Sequence, residues 1–100
     1  MKHVTHWIGG KPWDGAADRH GDIYDPATGE VTGSVDFAST AVVGDAVAAA
    51  AKAFPGWRAT SIAKRTQIMF AFRNLVREHQ QELAELISSE HGKVTSDAAG

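Results

Sequence analysis

At Ser39 the spacing of the apolar residues changes, and that change limits what this 100-residue chain can fold into. Before it, apolar residues come in brief runs broken by glycine, proline and aspartate, the pattern of short strands and turns. After it, Val43, Val47, Ala50 and Phe54 recur at spacings of four, three and four, so the period is helical. Strands followed by helices predict an α+β arrangement.

Within the first third, Thr5 to Ile8, the pair Gly9 and Gly10, and Lys11 to Trp13 read as a small hairpin, because two glycines supply the positive φ of a tight turn. Asp22 to Tyr24 forms a second strand. Asp25, Pro26, Ala27, Thr28 and Gly29 carry turn chemistry, with proline early and glycine late. A third strand follows in which Val31, Val35 and Phe37 share one face.

In the helical part, Ser39 or Thr40 is the expected N-cap of a first helix that Pro55 and Gly56 end, with Trp57 packing back on it. Ser61 caps the next helix. From Ile62 the apolar phase runs to Ile87, about 28 residues, longer than globular helices usually are, so a break is expected near His79. Gly92 fits the residue after a helix end, and Thr95 fits the cap of a last helix. Two charges interrupt the stripes: Arg65 falls among Ile68, Met69, Phe72, Leu75 and Val76, and Glu90 beside Leu83, Leu86 and Ile87. A lone charge on a core-facing stripe costs several kcal/mol, so each is expected to have a partner. Either the two pair with each other across a helical hairpin that turns near His79, or each finds a separate partner elsewhere in a longer protein. Phe70 lies off the stripe, among Thr66, Arg73 and Arg77.

Composition excludes several functions. A net charge of −2 supplies no basic field for nucleic acid or anionic membranes, and no stretch approaches the roughly 20 apolar residues of a membrane span. The N-terminus holds His3, His6 and two glycines where a signal peptide needs a basic and then a long apolar run, so a cytoplasmic location is the default expectation. There is no cysteine, which removes disulfides, thiolate ligands and a cysteine nucleophile.

The order of features resembles the N-terminal segment of the aldehyde dehydrogenase superfamily over nearly the whole chain. The residues that carry this are Trp7 to Gly10; Asp25 to Val31; Ala46, Val47, Ala50 and Ala53 to Trp57; Arg65; Glu82 to Ala84; and Glu90, Gly92 and Lys93. Arg65, Ile68, Met69, Phe70, Phe72 and Arg73, with Glu90 to Lys93, look most like the CoA-acylating methylmalonate-semialdehyde dehydrogenases. Where most members have asparagine before the turn proline, this chain has Asp25.

The resemblance implies that residues 1–100 are an incomplete N-terminal portion: an α+β fragment of short strands and hairpins followed by three or more helices, opening the α/β fold of that superfamily. It implies an NAD-dependent enzyme in which a cysteine thiolate attacks the aldehyde, hydride passes to NAD, and coenzyme A takes the acyl group with loss of carbon dioxide. The partners implied are a small aldehyde and further copies of the full-length chain. In the family the cysteine, the oxyanion asparagine, the general-base glutamate and the cofactor's strand-to-helix glycines all come later. The catalytic, cofactor-binding and metal-ligand lists for this chain are therefore empty, NAD and coenzyme A are not expected on it alone, and Gly9 and Gly10 are no dinucleotide fingerprint because no helix follows them.

His3, His6 and His20 invite a metal reading, but ligand spacing with carboxylate support is missing from the sequence, and surface histidines are the expectation. Ile23 and Tyr24 match positions whose backbone carbonyls hold a monovalent cation in some family members. Lys64, Arg65, Arg73 and Arg77 read as a solvated helix surface, since Arg65 faces the other way and Glu78 interrupts the rest. Two accounts of function follow: the leading piece of a dehydrogenase, inert by itself, or a free-standing binding module that kept the family's outer layer.

Overall fold

The computed structural model describes all 100 residues. Five strands, β1 (Lys2–Val4), β2 (Trp7–Ile8), β3 (Lys11–Pro12), β4 (Arg19–Tyr24) and β5 (Val31–Phe37), precede four helices, α1 (Thr40–Ala59), α2 (Ile62–Glu78), α3 (Gln80–His91) and α4 (Thr95–Ala98). The strands-then-helices order is the α+β arrangement that the change of period predicts. The chain divides into two compact units, residues 1–24 with 31–59, and residues 25–30 with 60–100.

In the first unit β5 is the middle strand of a three-stranded sheet in the order β1-β5-β4. β4 pairs with it antiparallel, from Arg19 opposite Phe37 to Tyr24 opposite Val31. β1 pairs with it in parallel, Lys2 opposite Gly33 and Val4 opposite Val35. Phe37 lies under the Arg19 guanidinium, 5.8 Å from ring centroid to charge. β2 and β3 form the glycine hairpin, with φ of +64° at Gly9 and +81° at Gly10. Two successive positive φ values suit the twist of a two-residue hairpin turn. β1 has no signature in the sequence, since Lys2, His3 and Val4 show no alternation long enough to read.

α1 begins at a Ser39 cap, whose Oγ accepts the Val42 N–H at 3.2 Å. It does not stop at Pro55 but runs on to Ala59, with Trp57 in its last turn rather than folded back on it. Proline costs a helix one N–H donor and crowds one carbonyl, and here only a final turn lies beyond it, closed by Arg58 at the negative end of the helix dipole.

In the second unit Ser61 caps α2 by accepting the Lys64 N–H at 3.2 Å. The break falls at His79, as the length of the apolar run predicts, and takes one residue, with φ −99° and ψ 12°. Its ring Nδ1 lies 2.9 Å from Glu82 in the first turn of α3, where a carboxylate also suits the helix dipole. α3 ends at Gly92, whose φ is +86°, and Gly92 lies against Pro26 of the turn. That turn is closed by Asp25, whose Oδ1 accepts the Ala27 N–H at 2.8 Å and whose carbonyl accepts the Gly29 N–H at 2.7 Å. α4 is anchored through Gln80, which donates to the Ala99 carbonyl at 2.8 Å, and the contact buries Ala84 and Ala98. Val94 rather than Thr95 is its cap residue.

Arg65 is half-buried, Glu90 is exposed, and both are partnered. The stripes around them are not covered within the chain. α2 buries no residue, and Ile68, Met69, Phe72, Leu75 and Val76 are all exposed, as is Phe70. The accessible surface is 7871 Å², whereas two compact globules of half this mass would together expose about 6,600 Å². Chain geometry, caps and backbone bonds shape these units more than apolar burial does.

Replacing Gly92 by alanine is expected to destabilise the end of α3 by about 1–2 kcal/mol, because a side chain at positive φ is strained and the new Cβ would stand 3.2 Å from Pro26 Cγ. Ser61→Ala is expected to cost about 1 kcal/mol through loss of the cap. Urea unfolding of the native polypeptide that carries this chain measures both, and an unchanged midpoint would remove either assignment.

Candidate functional site

The densest group of titratable side chains lies on one face of the three-stranded sheet. Alternation along β5 sends Ser34 and Asp36 to one face and Val35 and Phe37 to the other. Pairing then brings His20 of β4 directly opposite Asp36. His3 of β1 stands opposite Ser34, one step along the same face. Both rings reach the same oxygen: His3 Nε2 is 2.7 Å and His20 Nδ1 2.9 Å from Asp36 Oδ1. The carboxylate is buried, its residue 5% exposed, while the histidine side chains remain 58% and 53% exposed. The rings meet edge to face with centroids 6.4 Å apart.

A buried carboxyl resists ionisation, but this one is held below the usual aspartate range. The hydrogen bond from His3 is the largest cause; burial opposes it, and Thr5, His20 and the charge of His3 add to the lowering. The Thr5 hydroxyl acts from a buried position in which Oγ1 makes no well-formed hydrogen bond.

Of the three histidines considered for a metal, the fold gathers His3 and His20 and leaves out His6. His6 packs against Trp13, ring centroids 5.0 Å apart, and its Nε2 is buried without a hydrogen bond. The carboxylate support missing from the local sequence is Asp36, 16 residues from His20 and 33 from His3. The alternation of Val31, Val35 and Phe37 puts Asp36 on the opposite face, but only the pairing of β1 with β5 reveals what it meets there. At the two positions likened to a cation site, the Ile23 carbonyl accepts the Thr32 hydroxyl at 3.3 Å, and the Tyr24 hydroxyl donates to Asp22 at 3.5 Å.

Two grooves mark the first unit. One of about 460 Å³ lies between the hairpin of Trp7 to Gly10 and the small side chains Ala46, Ala49, Ala50 and Ala53 of α1. The other, about 210 Å³, is lined by Trp13, Asp18, Arg19, Phe37 and Ser39 among others. The second carries a hydroxyl and a carboxylate, Ser39 and Asp18, but the Ser39 Oγ is engaged as the cap of α1, accepting the Val42 N–H at 3.2 Å. Gly9 and Gly10, both at positive φ, join two strands, and no helix N-terminus follows them to meet a pyrophosphate.

A family model described as the aldehyde dehydrogenase family matches residues 13–100. The human mitochondrial methylmalonate-semialdehyde/malonate-semialdehyde dehydrogenase [acylating] is 40% identical over 97 residues, 97% of this chain and 18% of that protein. Among solved structures, a Sinorhizobium meliloti 1021 protein described as a methylmalonate-semialdehyde dehydrogenase and crystallised with NAD is similar with a TM-score of 0.94 and 42% identity, over 100% of this chain and 20% of its own. The methylmalonate-semialdehyde dehydrogenase of Oceanimonas doudoroffii gives a TM-score of 0.94 and 41% identity with the same coverage. The chain thus spans about a fifth of the length of the relatives it matches.

Because the Asp36 carboxyl titrates below its ordinary value, its contribution to stability is complete above about pH 4, the unfolded aspartate pKa, and is lost as pH falls through the lower folded value. Urea midpoints followed across that acid range are expected to fall more steeply for the native polypeptide than for Asp36→Asn. Parallel acid limbs would show that Asp36 carries no such linkage.

Proposed function

The chain belongs to the aldehyde dehydrogenase family, and from that we propose that it is the N-terminal part of an NAD-dependent, CoA-acylating methylmalonate-semialdehyde dehydrogenase. The observation that carries the reading is the likeness to the Sinorhizobium protein along the full length of this chain, TM-score 0.94 at 42% identity. The word acylating in the human relative's name supports coenzyme A, rather than water, as the acyl acceptor.

On this reading the whole polypeptide converts an aldehyde, coenzyme A and NAD to an acyl-CoA and NADH, with carbon dioxide lost from the malonate-type substrate. The nucleophile is a cysteine outside residues 1–100, since these hold none. What these residues contribute is framework: a sheet and four helices whose exposed apolar stripes present a surface for the rest of the protein. Full-length copies assemble with one another, and the protein is cytoplasmic; neither nucleic acid nor a membrane is a partner. No helix is long and apolar enough to cross a membrane.

The native polypeptide is expected to reduce NAD with methylmalonate or malonate semialdehyde in a reaction that requires coenzyme A and yields propionyl-CoA or acetyl-CoA. NADH absorbance with chromatography of the thioester product measures it. Turnover at full rate without coenzyme A would overturn the acylating assignment. Residues 1–100 alone are expected to give no turnover, and aldehyde oxidation by that cysteine-free piece would overturn the placement of the chemistry outside it.

A further inference from the structure

We propose that His3, His20 and Asp36 form a binding site for one divalent transition-metal ion of the Zn²⁺ class. Two imidazoles and a carboxylate are a ligand set for such ions, and three protein ligands leave a fourth position for water. The donor atoms His3 Nε2, His20 Nδ1 and one Asp36 oxygen all lie within 4.8 Å of one another. Tetrahedral bonds of about 2.0–2.1 Å place donors about 3.3 Å apart, so an ion needs the 2.7 and 2.9 Å separations at Asp36 Oδ1 to open by about half an ångström and the two ring nitrogens, which lie within 4.8 Å, to close by at most about 1.5 Å.

The scaffold supplies the fixed and the movable parts in a useful combination. Asp36 sits on the doubly paired middle strand and is buried, so its oxygens are held in place. The two histidines stand on flanking strands with more than half of each side chain exposed, so the rings can turn and an ion can enter from solvent. Each ring nitrogen now facing Asp36 becomes a ligand when its proton moves to the other ring nitrogen or is released. An ion there would tie together three strands whose ligands are far apart in the chain. His6, His79 and His91 take no part: the first packs on Trp13, and the others stand on or beside α3 in the other unit.

The test uses the native polypeptide that carries this chain, stripped of metal, and Zn²⁺ as the only added ligand. Calorimetric titration is expected to show one ion bound at this site, with a rise in thermal midpoint. His3→Gln and His20→Gln, both at exposed side chains, are each expected to weaken that binding at least about 100-fold, the upper end of what even outer partners of a metal ligand cost. His6→Gln is expected to leave it unchanged. Asp36→Asn is expected to abolish it, and because that replacement puts the buried face at risk, the histidine variants decide the outcome. Co²⁺ provides a second readout, with visible bands of a four-coordinate ion present in the native protein and absent from His20→Gln. A Zn²⁺ stoichiometry and affinity that are the same in His20→Gln as in the native protein would overturn the site, as they would assign the ion elsewhere. No uptake by the native protein would overturn it as well, leaving the trio as a hydrogen-bonded staple between strands.

Discussion

β5 is hydrogen-bonded along both edges, to β1 in parallel and to β4 antiparallel, and this double pairing decides which side chains of the first unit can meet. Side chains alternate along a strand, so a slip of one residue on either edge would send His3 or His20 to the opposite face. The buried carboxylate of Asp36 works with this constraint, since only the observed registers let both rings reach it. The polar trio and the backbone ladder therefore specify each other. A buried acid here is tolerated because it accepts at least two hydrogen bonds in place of water.

The second unit is organised differently. Its order comes from helix ends: Ser61 at the start of α2, His79 with Glu82 at the kink, and Gly92 against Pro26 at the end of α3. Its own buried apolar contact is small, an alanine on α3 and an alanine on α4. Long apolar side chains on α2 and α3 stay at the surface, a distribution that suits a helix pair presented to other surfaces rather than one folded around a private core.

Much of this was legible in the sequence because local chemistry governs it. Ser39 and Ser61 are caps, Gly9 and Gly10 make the hairpin turn, Asp25 to Gly29 make the next one, and the run from Ile62 to Ile87 breaks at His79. Where expectation and structure part, a longer-range or competing term prevails. Proline at 55 removes one donor near a helix end, which is not enough to stop α1. The three residues of β1 carry no periodicity, and their strand character comes from a partner 31 residues away in the chain, Lys2 with Gly33. Asp36 was invisible as a ligand for the same reason. Stripes such as Ile68, Met69, Phe72 and Leu75 were readable as one face of a helix, but periodicity does not say whether a face is covered within the same 100 residues.

The parallel pairing of β1 with β5 also fixes an order of events. α2 and α3 close through bonds four residues apart, and β4 meets β5 across the short turn at 25–30, so these can form as soon as their own residues are available. β1 stays unpaired while some thirty residues find their conformation, and it cannot dock until β5 exists. The residues of β1 are thus the last to join the sheet. They would also be the first to peel away when it loosens, so the trio that bridges all three strands closes only in the final step.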